Sequence, residues 1–221
     1  MAKTEKITRE KIILAFLESC FEKNAGGTSL SDVAGRLGIK KASLYNHYES
    51  RDAMVEDTLR WSGEYMKRTY FIPSDIDAIS RKYSAETVMK GIVNRWFKLN
   101  EKEPLFQIYS FVESEKYISN AAAEISQENR EKLISQTATA FLSLSAAGKI
   151  AQITEEKAVQ ISKMYAGIVM SFLDSYLTDK KIQIRTNPET GEGSLFAPPQ
   201  EKGNLDGIDS ITEDFCALLK P

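Results

Sequence analysis

Lys40, Lys41, Ser43, Tyr45, Asn46 and His47 crowd into the run RLGIKKASLYNHYESRD, residues 36–52. No acid falls between Asp32 and Glu49, in a chain that has 31 acids, 29 Lys and Arg, and one histidine. Ammonium groups neutralise phosphates. Hydroxyl, amide and imidazole groups bond phosphate oxygens and the edges of bases. What these residue types share is the chemistry of binding a polyanion, not of making or breaking bonds. Ala42 among them leaves room for close backbone approach. Each residue taken alone also suits a solvated surface, but a merely solvated helix carries acids too.

Catalysis has little to work with. The chain has no Gly-rich phosphate loop, no cluster spaced as metal ligands and no Ser/His/Asp arrangement. We therefore expect no enzyme, no cofactor and no metal. Cys20 and Cys216 lie at opposite ends of the chain within apolar-periodic segments, which reads as two small buried hydrophobes in a cytoplasmic protein. No apolar run approaches the ~18 residues of a membrane helix. The start, MAKTEKITREK, is polar and mixed in charge, unlike a signal peptide. Net charge is −2 for the whole chain and +1 for residues 1–60. Any DNA-binding surface must be a local patch rather than a basic domain.

The elements that hold this run read as helices. Ile12, Ile13, Phe16, Leu17, Cys20 and Phe21 share one face of a helix over 8–24, ended by Gly26 and Gly27. Ser29 offers an N-cap, with Asp32 placed for a capping box, and Gly38 stops that helix after Leu37. A second short helix is expected over 41–47, with Leu44 and Tyr48 pointing inward. Ser50 then caps a longer helix carrying Met54, Val55, Leu59 and Met66 toward Pro73. Beyond Ser84, helices are expected at 84–102, 104–116, 119–147, 154–179 and 208–219. The expectation is an all-α fold: a helix-turn-helix domain over 1–50 and a larger helical domain over 51–221, with 51–71 as connecting helix. Residues 180–205, rich in Pro and Gly, read as a loop, with a small hairpin suggested by the alternation at Ile182 and Ile184.

Two short helices joined at a glycine make a helix-turn-helix, whose second helix enters the major groove. Over residues 8 to about 60, SLSDVAGRLGIKKASLYNHYESRDAM resembles the DNA-binding segment of the TetR family of bacterial transcriptional regulators. The resemblance places the family's phosphate-contacting tyrosine on Tyr45 and its His/Tyr on His47. It places the lysine that opens the fourth helix on Arg51, and the capping threonine on Ser29. Two positions depart. The usual serine cap of the recognition helix is Lys40, which cannot accept helix N–H groups, and an arginine of the second helix is Ser31. Ser29, Lys40, Lys41, Ala42, Ser43, Tyr45, Asn46, His47 and Arg51 are the DNA-contact candidates, with Lys41 and Asn46 favoured for base edges.

The resemblance further implies a double-stranded DNA operator, a homodimer and a small-molecule effector held among the later helices, with no membrane partner. Trp96, Tyr109, Phe141 and Tyr165, with Glu113 as a polar contact, are candidates for the effector pocket, though plain core is the alternative for each. The helix at 154–179 is apolar on more than one face, so one side needs a partner. Ile161, Gly167, Ile168, Phe172, Ile211 and Phe215 are the candidate dimer residues. The competing reading is a dimeric DNA-binding protein that senses no ligand.

Overall fold

The computed structural model describes residues 7–186 and 205–220, and these hold helices and no strand. α1 spans Arg9–Gly27, α2 Leu30–Arg36, α3 Lys41–Leu44 and α4 Arg51–Arg68. α5 spans Ile76–Lys82, α6 Ala85–Asn100, α7 Leu105–Glu115 and α8 Asn120–Ala146. α9 spans Glu155–Thr186 and α10 Asp206–Ala217.

Local chemistry accounts for the first helix ends. Thr8 caps α1 by accepting Lys11 N–H at 3.2 Å. The end of α1 breaks at Asn24, with φ +66°, whose side chain accepts Gly27 N–H at 2.8 Å. Ser29 and Asp32 form the capping box of α2 in both directions. α2 ends in a Schellman motif: Ile39 N–H reaches Ala34 O at 3.0 Å and Gly38 N–H reaches Gly35 O at 3.2 Å. Gly38 sits at φ +63°, where a side chain would be strained. This turn sets the entry to α3.

α3 is shorter than the expected 41–47. Its helix ends at Leu44, and hydrogen-bonded turns carry the chain on: His47 N–H and Tyr48 N–H both reach Leu44 O. α5 was not expected. Its N-cap, Asp75, makes no side-chain cap bond, and Ile76, Ile79 and Tyr83 were the available periodic signal. The loop expected from residue 180 does not begin there, and the suggested hairpin fails with it, because α9 stays helical to Thr186 through Ile182 and Ile184. A short alternating pair is ambiguous in period. The rest of that stretch, 187–204, lies outside the described residues.

The chain packs as two units. One takes the chain up to Thr69 and again Lys102–Asn129; the other takes Tyr70–Glu101 and the chain from Arg130 on. Packing thus does not divide the chain after residue 50. In the first unit α1 packs on α2, α4 and α7, and α2 on α3. Phe16 meets Phe111, and Phe21 meets Phe106, both edge to face. α4 lies wholly in this unit. In the second unit α6 packs on α5, α9 and α10. Tyr165, Phe141 and Phe215 form one aromatic cluster there, and the Tyr165 hydroxyl is hydrogen bonded to Thr212 at 2.7 Å. Both cysteines are buried and neither is in a disulfide.

Candidate functional site

The structure sorts the acid-free run into an outer and an inner set. Lys40, Lys41, Ala42, Tyr45, Asn46 and His47 are exposed, and Ser43 is half-buried. Leu44 and Tyr48 are buried, as their spacing predicts. Lys40 makes no cap bond, and neither Lys40 nor Lys41 has an ion-pair partner among the described residues. Arg36, in the same run, is spent on structure: its Nε donates to Ser19 at 2.8 Å and its guanidinium pairs with Glu18 and Glu22, tying α2 to α1. The basic patch that remains is therefore Lys40 and Lys41, set beside Tyr45, Asn46 and His47.

Tyr48 anchors this surface through a network that the sequence reading missed. Its hydroxyl donates to Asp57 Oδ2 at 2.7 Å. Asp57, on α4, also pairs with Arg9 at 3.0 Å and with Arg60. The Arg9 guanidinium lies 5.3 Å from the Tyr48 ring centre. Burial raises the Asp57 carboxyl, but bonds from Tyr48 and Arg60 and the charge of Arg9 outweigh it and hold it below the usual range. Burial, then the bond to Asp57, pushes the Tyr48 phenol up to about 12. One carboxylate thus joins α1, the end of the recognition segment and α4. Tyr48 and Asp57 lie nine positions apart, which no helical spacing would have paired.

Ser29 is committed to its cap. It accepts Asp32 N–H, and both its N–H and its hydroxyl donate to Asp32 Oδ2. Lys23 bonds Asp32 at 2.6 Å and, with the Ser29 N–H, holds this carboxyl well below the usual range. Arg51 also differs from the expectation. Its Nε donates to Thr28 O at 2.9 Å and its Nη2 to Ala25 O, so the guanidinium closes the frayed end of α1. A side chain bonded to two backbone carbonyls does not extend freely to solvent. Arg51→Ala is therefore expected to cost about 1–2 kcal/mol in urea unfolding. It should weaken operator and random DNA alike while leaving the salt slope of binding unchanged. A slope reduced by about 0.9 per protomer would instead mark Arg51 as a phosphate contact.

A short helix held by a Schellman turn, followed by an exposed basic face on a buried leucine and tyrosine, is the geometry of a helix-turn-helix. The sequence model of the bacterial regulatory proteins of the tetR family matches residues 12–58, the stretch that builds it. Residues 12–58 are a TetR-type DNA-binding segment. The chain is 22% identical over 169 residues to IcaR of Staphylococcus aureus, the HTH-type negative transcriptional regulator of the biofilm operon icaADBC. That match covers 76% of this chain and 81% of IcaR. Among solved structures, a TetR-family regulator of Mesorhizobium loti superposes with a TM-score of 0.59 at 15% identity, covering 96% of each chain. One of Marinobacter aquaeolei superposes at 0.56 with 18% identity, covering 98% of this chain and all of the other. These structural likenesses speak for the TetR fold. The family is one of regulators rather than enzymes, and no helix among the described residues is long and apolar enough to cross a membrane.

The effector candidates divide between the two units, and only Phe141 and Tyr165 are seen in contact. Tyr109 and Glu113 lie in the first unit, where Glu113 takes Lys116 and Ser126, each at 2.6 Å. Trp96, Phe141 and Tyr165 are core of the second unit. The Trp96 and Phe71 ring centres lie 4.7 Å apart with the rings tilted at 57°, and Trp96 Nε1 has no hydrogen-bond partner among the described residues. A cleft of about 300 Å³ lies elsewhere in that unit. Ile76, Ile79 and Tyr83 line it from α5 and its end, Val88, Ile92 and Arg95 from α6, and Phe71, Pro73, Thr87 and Gly91 complete the lining. Aromatic content pointed to the core; the missed helix, α5, makes the cleft.

The dimer candidates are sorted as well. Ile161 is buried within its own chain and offers nothing to a partner. Phe172 is half-buried, with its ring 3.1 Å from where a Gly207 Cβ would stand, so α10 of the same chain covers part of it. Ile168, Ile211 and Phe215 are half-buried, and Gly167 is exposed. The outward apolar residues on α9 and after α10 include Met164 and Leu218.

Proposed function

We propose that this chain is a cytoplasmic TetR-family repressor that binds a palindromic operator as a homodimer and leaves it when a small molecule binds. The observation that carries the DNA reading is the exposed surface from Lys40 to His47, free of acids and seated on buried Leu44 and Tyr48. Its helix follows a glycine turn, so two copies related by a two-fold axis would enter adjacent major grooves ~34–36 Å apart. The IcaR likeness, a negative regulator, supports repression over activation. The cleft in the second unit favours a ligand-responsive protein over one that senses nothing. Linkage then requires that any factor the ligand removes from DNA affinity is removed equally from ligand affinity by DNA.

Titrating fluorescent DNA from the gene's own upstream region, with sedimentation of the complex, tests this reading. Two protomers per palindrome and a steep salt dependence are expected. Salt-independent binding, or a monomer on DNA, would overturn it.

The dimer face we propose is the outer side of α9 with α10, with Gly167 at its seam. No atom outside the residue's own surroundings stands within 4 Å of a Cβ placed on Gly167. Gly167→Leu is thus accommodated within the protomer and is expected to raise the dimer dissociation constant at least about tenfold, with the melting of the monomer unchanged. Light scattering against concentration reads this directly, and an unaltered dimer would place the seam elsewhere.

A further inference from the structure

The cleft between α5 and α6 combines three features that point to one kind of occupant. Its walls are apolar, from Phe71, Ile76, Ile79, Val88 and Ile92, and no acid lines it. Arg95 lines it while remaining exposed, and this guanidinium has no hydrogen-bond or ion-pair partner among the described residues. Gly91 also lines it, one turn before Arg95 on α6. Nothing stands within 4 Å of a Cβ placed on Gly91, and its φ is not positive. Glycine in a helix interior costs stability relative to alanine. Neither packing nor backbone geometry requires it at this position; its effect is to keep the cleft wide.

We propose that this cleft binds a small amphipathic carboxylate, its apolar body against Ile76, Ile79, Val88 and Ile92 and its anionic head on Arg95. The volume, about 300 Å³, is at the small end of ligand sites, so the body is a short alkyl chain or a single ring. A neutral ligand would forgo the charge-assisted bond that Arg95 offers. A cation would be repelled, and a polyanion would find a single cation in the lining. The inference names the chemical class of the effector proposed above, and it rests on that reading only for its consequence on DNA.

Calorimetric titration of the full chain with octanoate, octan-1-ol and octylammonium tests it. Octanoate is expected to bind saturably, octanol at least about tenfold more weakly and octylammonium more weakly still. Arg95→Gln, at an exposed position, should reduce octanoate to the level of octanol and leave octanol unchanged. Gly91→Leu should fill the cleft, abolish binding of both and melt no lower than the wild type. Trp96 emission supplies a second readout, because the Trp96 ring contacts the cleft-lining Phe71. Absence of octanoate binding, equal affinity for octanoate and octanol, or wild-type binding by either variant would overturn the proposal. Operator affinity is scored separately. Octanoate bound with both dependences but without effect on operator affinity leaves the site standing and removes its regulatory role.

Discussion

Replacing Lys40 and Lys41 together with alanine is expected to weaken operator binding by about three orders of magnitude at 0.15 M salt. Each neutralised phosphate contributes a slope of about 0.9 in log affinity against log salt, worth roughly five- to sixfold at this concentration. Two lysines on each of two protomers make four such contacts, so the slope should flatten by about 3.6. The fold should not respond, because both lysines are exposed and neither has an ion-pair partner among the described residues. Anisotropy titrations from low to moderate salt measure both quantities. If Lys41 reads a base edge instead, the slope flattens by only about 1.8 and discrimination relaxes by ~1–3 kcal/mol at one operator position. An unchanged slope would move the DNA-binding surface away from α3.

Asp57→Ala is expected to be the most damaging single substitution in the first unit, at about 2–3 kcal/mol of unfolding free energy. Removing one partner of a buried charge network costs ~3–5 kcal/mol. Arg9 and Arg60 keep 59% and 68% of their side chains exposed, and water recovers part of that loss. Tyr48→Phe removes one bond to a charged acceptor and should cost about 1.5 kcal/mol, and the double variant less than the sum. DNA affinity should fall in parallel, since Tyr48 ends the turn that carries Asn46 and His47. The acid limb gives an independent check. The folded Asp57 carboxyl lies below its ordinary value of 3.8, so its contribution is complete above that pH and is lost as pH falls through the folded value. Below about pH 4, the Asp57→Ala variant should therefore lose stability less steeply than the wild type. Equal acid slopes, measured by urea unfolding at several pH values, would show that Asp57 is not tuned by this network.

The sequence by itself determined what depends on neighbours three or four positions away. The cap at Ser29 and Asp32, the stop at Gly38 and the inward Leu44 and Tyr48 are properties of i, i+3 and i+4 spacing, and the structure holds each of them. So does the acid-free outer face, because a side chain that cannot point inward on a helix must point out. Tertiary structure alone decided what each buried or charged group meets. An apolar face states that it is buried, not against what: Phe16 and Phe21 of α1 pack on Phe111 and Phe106 of α7, far away in the sequence. Arg51 read as a phosphate contact, yet it bonds two backbone carbonyls just past the break in α1. Asp57 showed only its neighbour Arg60 on the same helix, since Arg9 and Tyr48 stand on other segments. The cleft escaped for the same reason. It is a space left between α5 and α6, and periodicity describes which residues face inward, never how much room they leave.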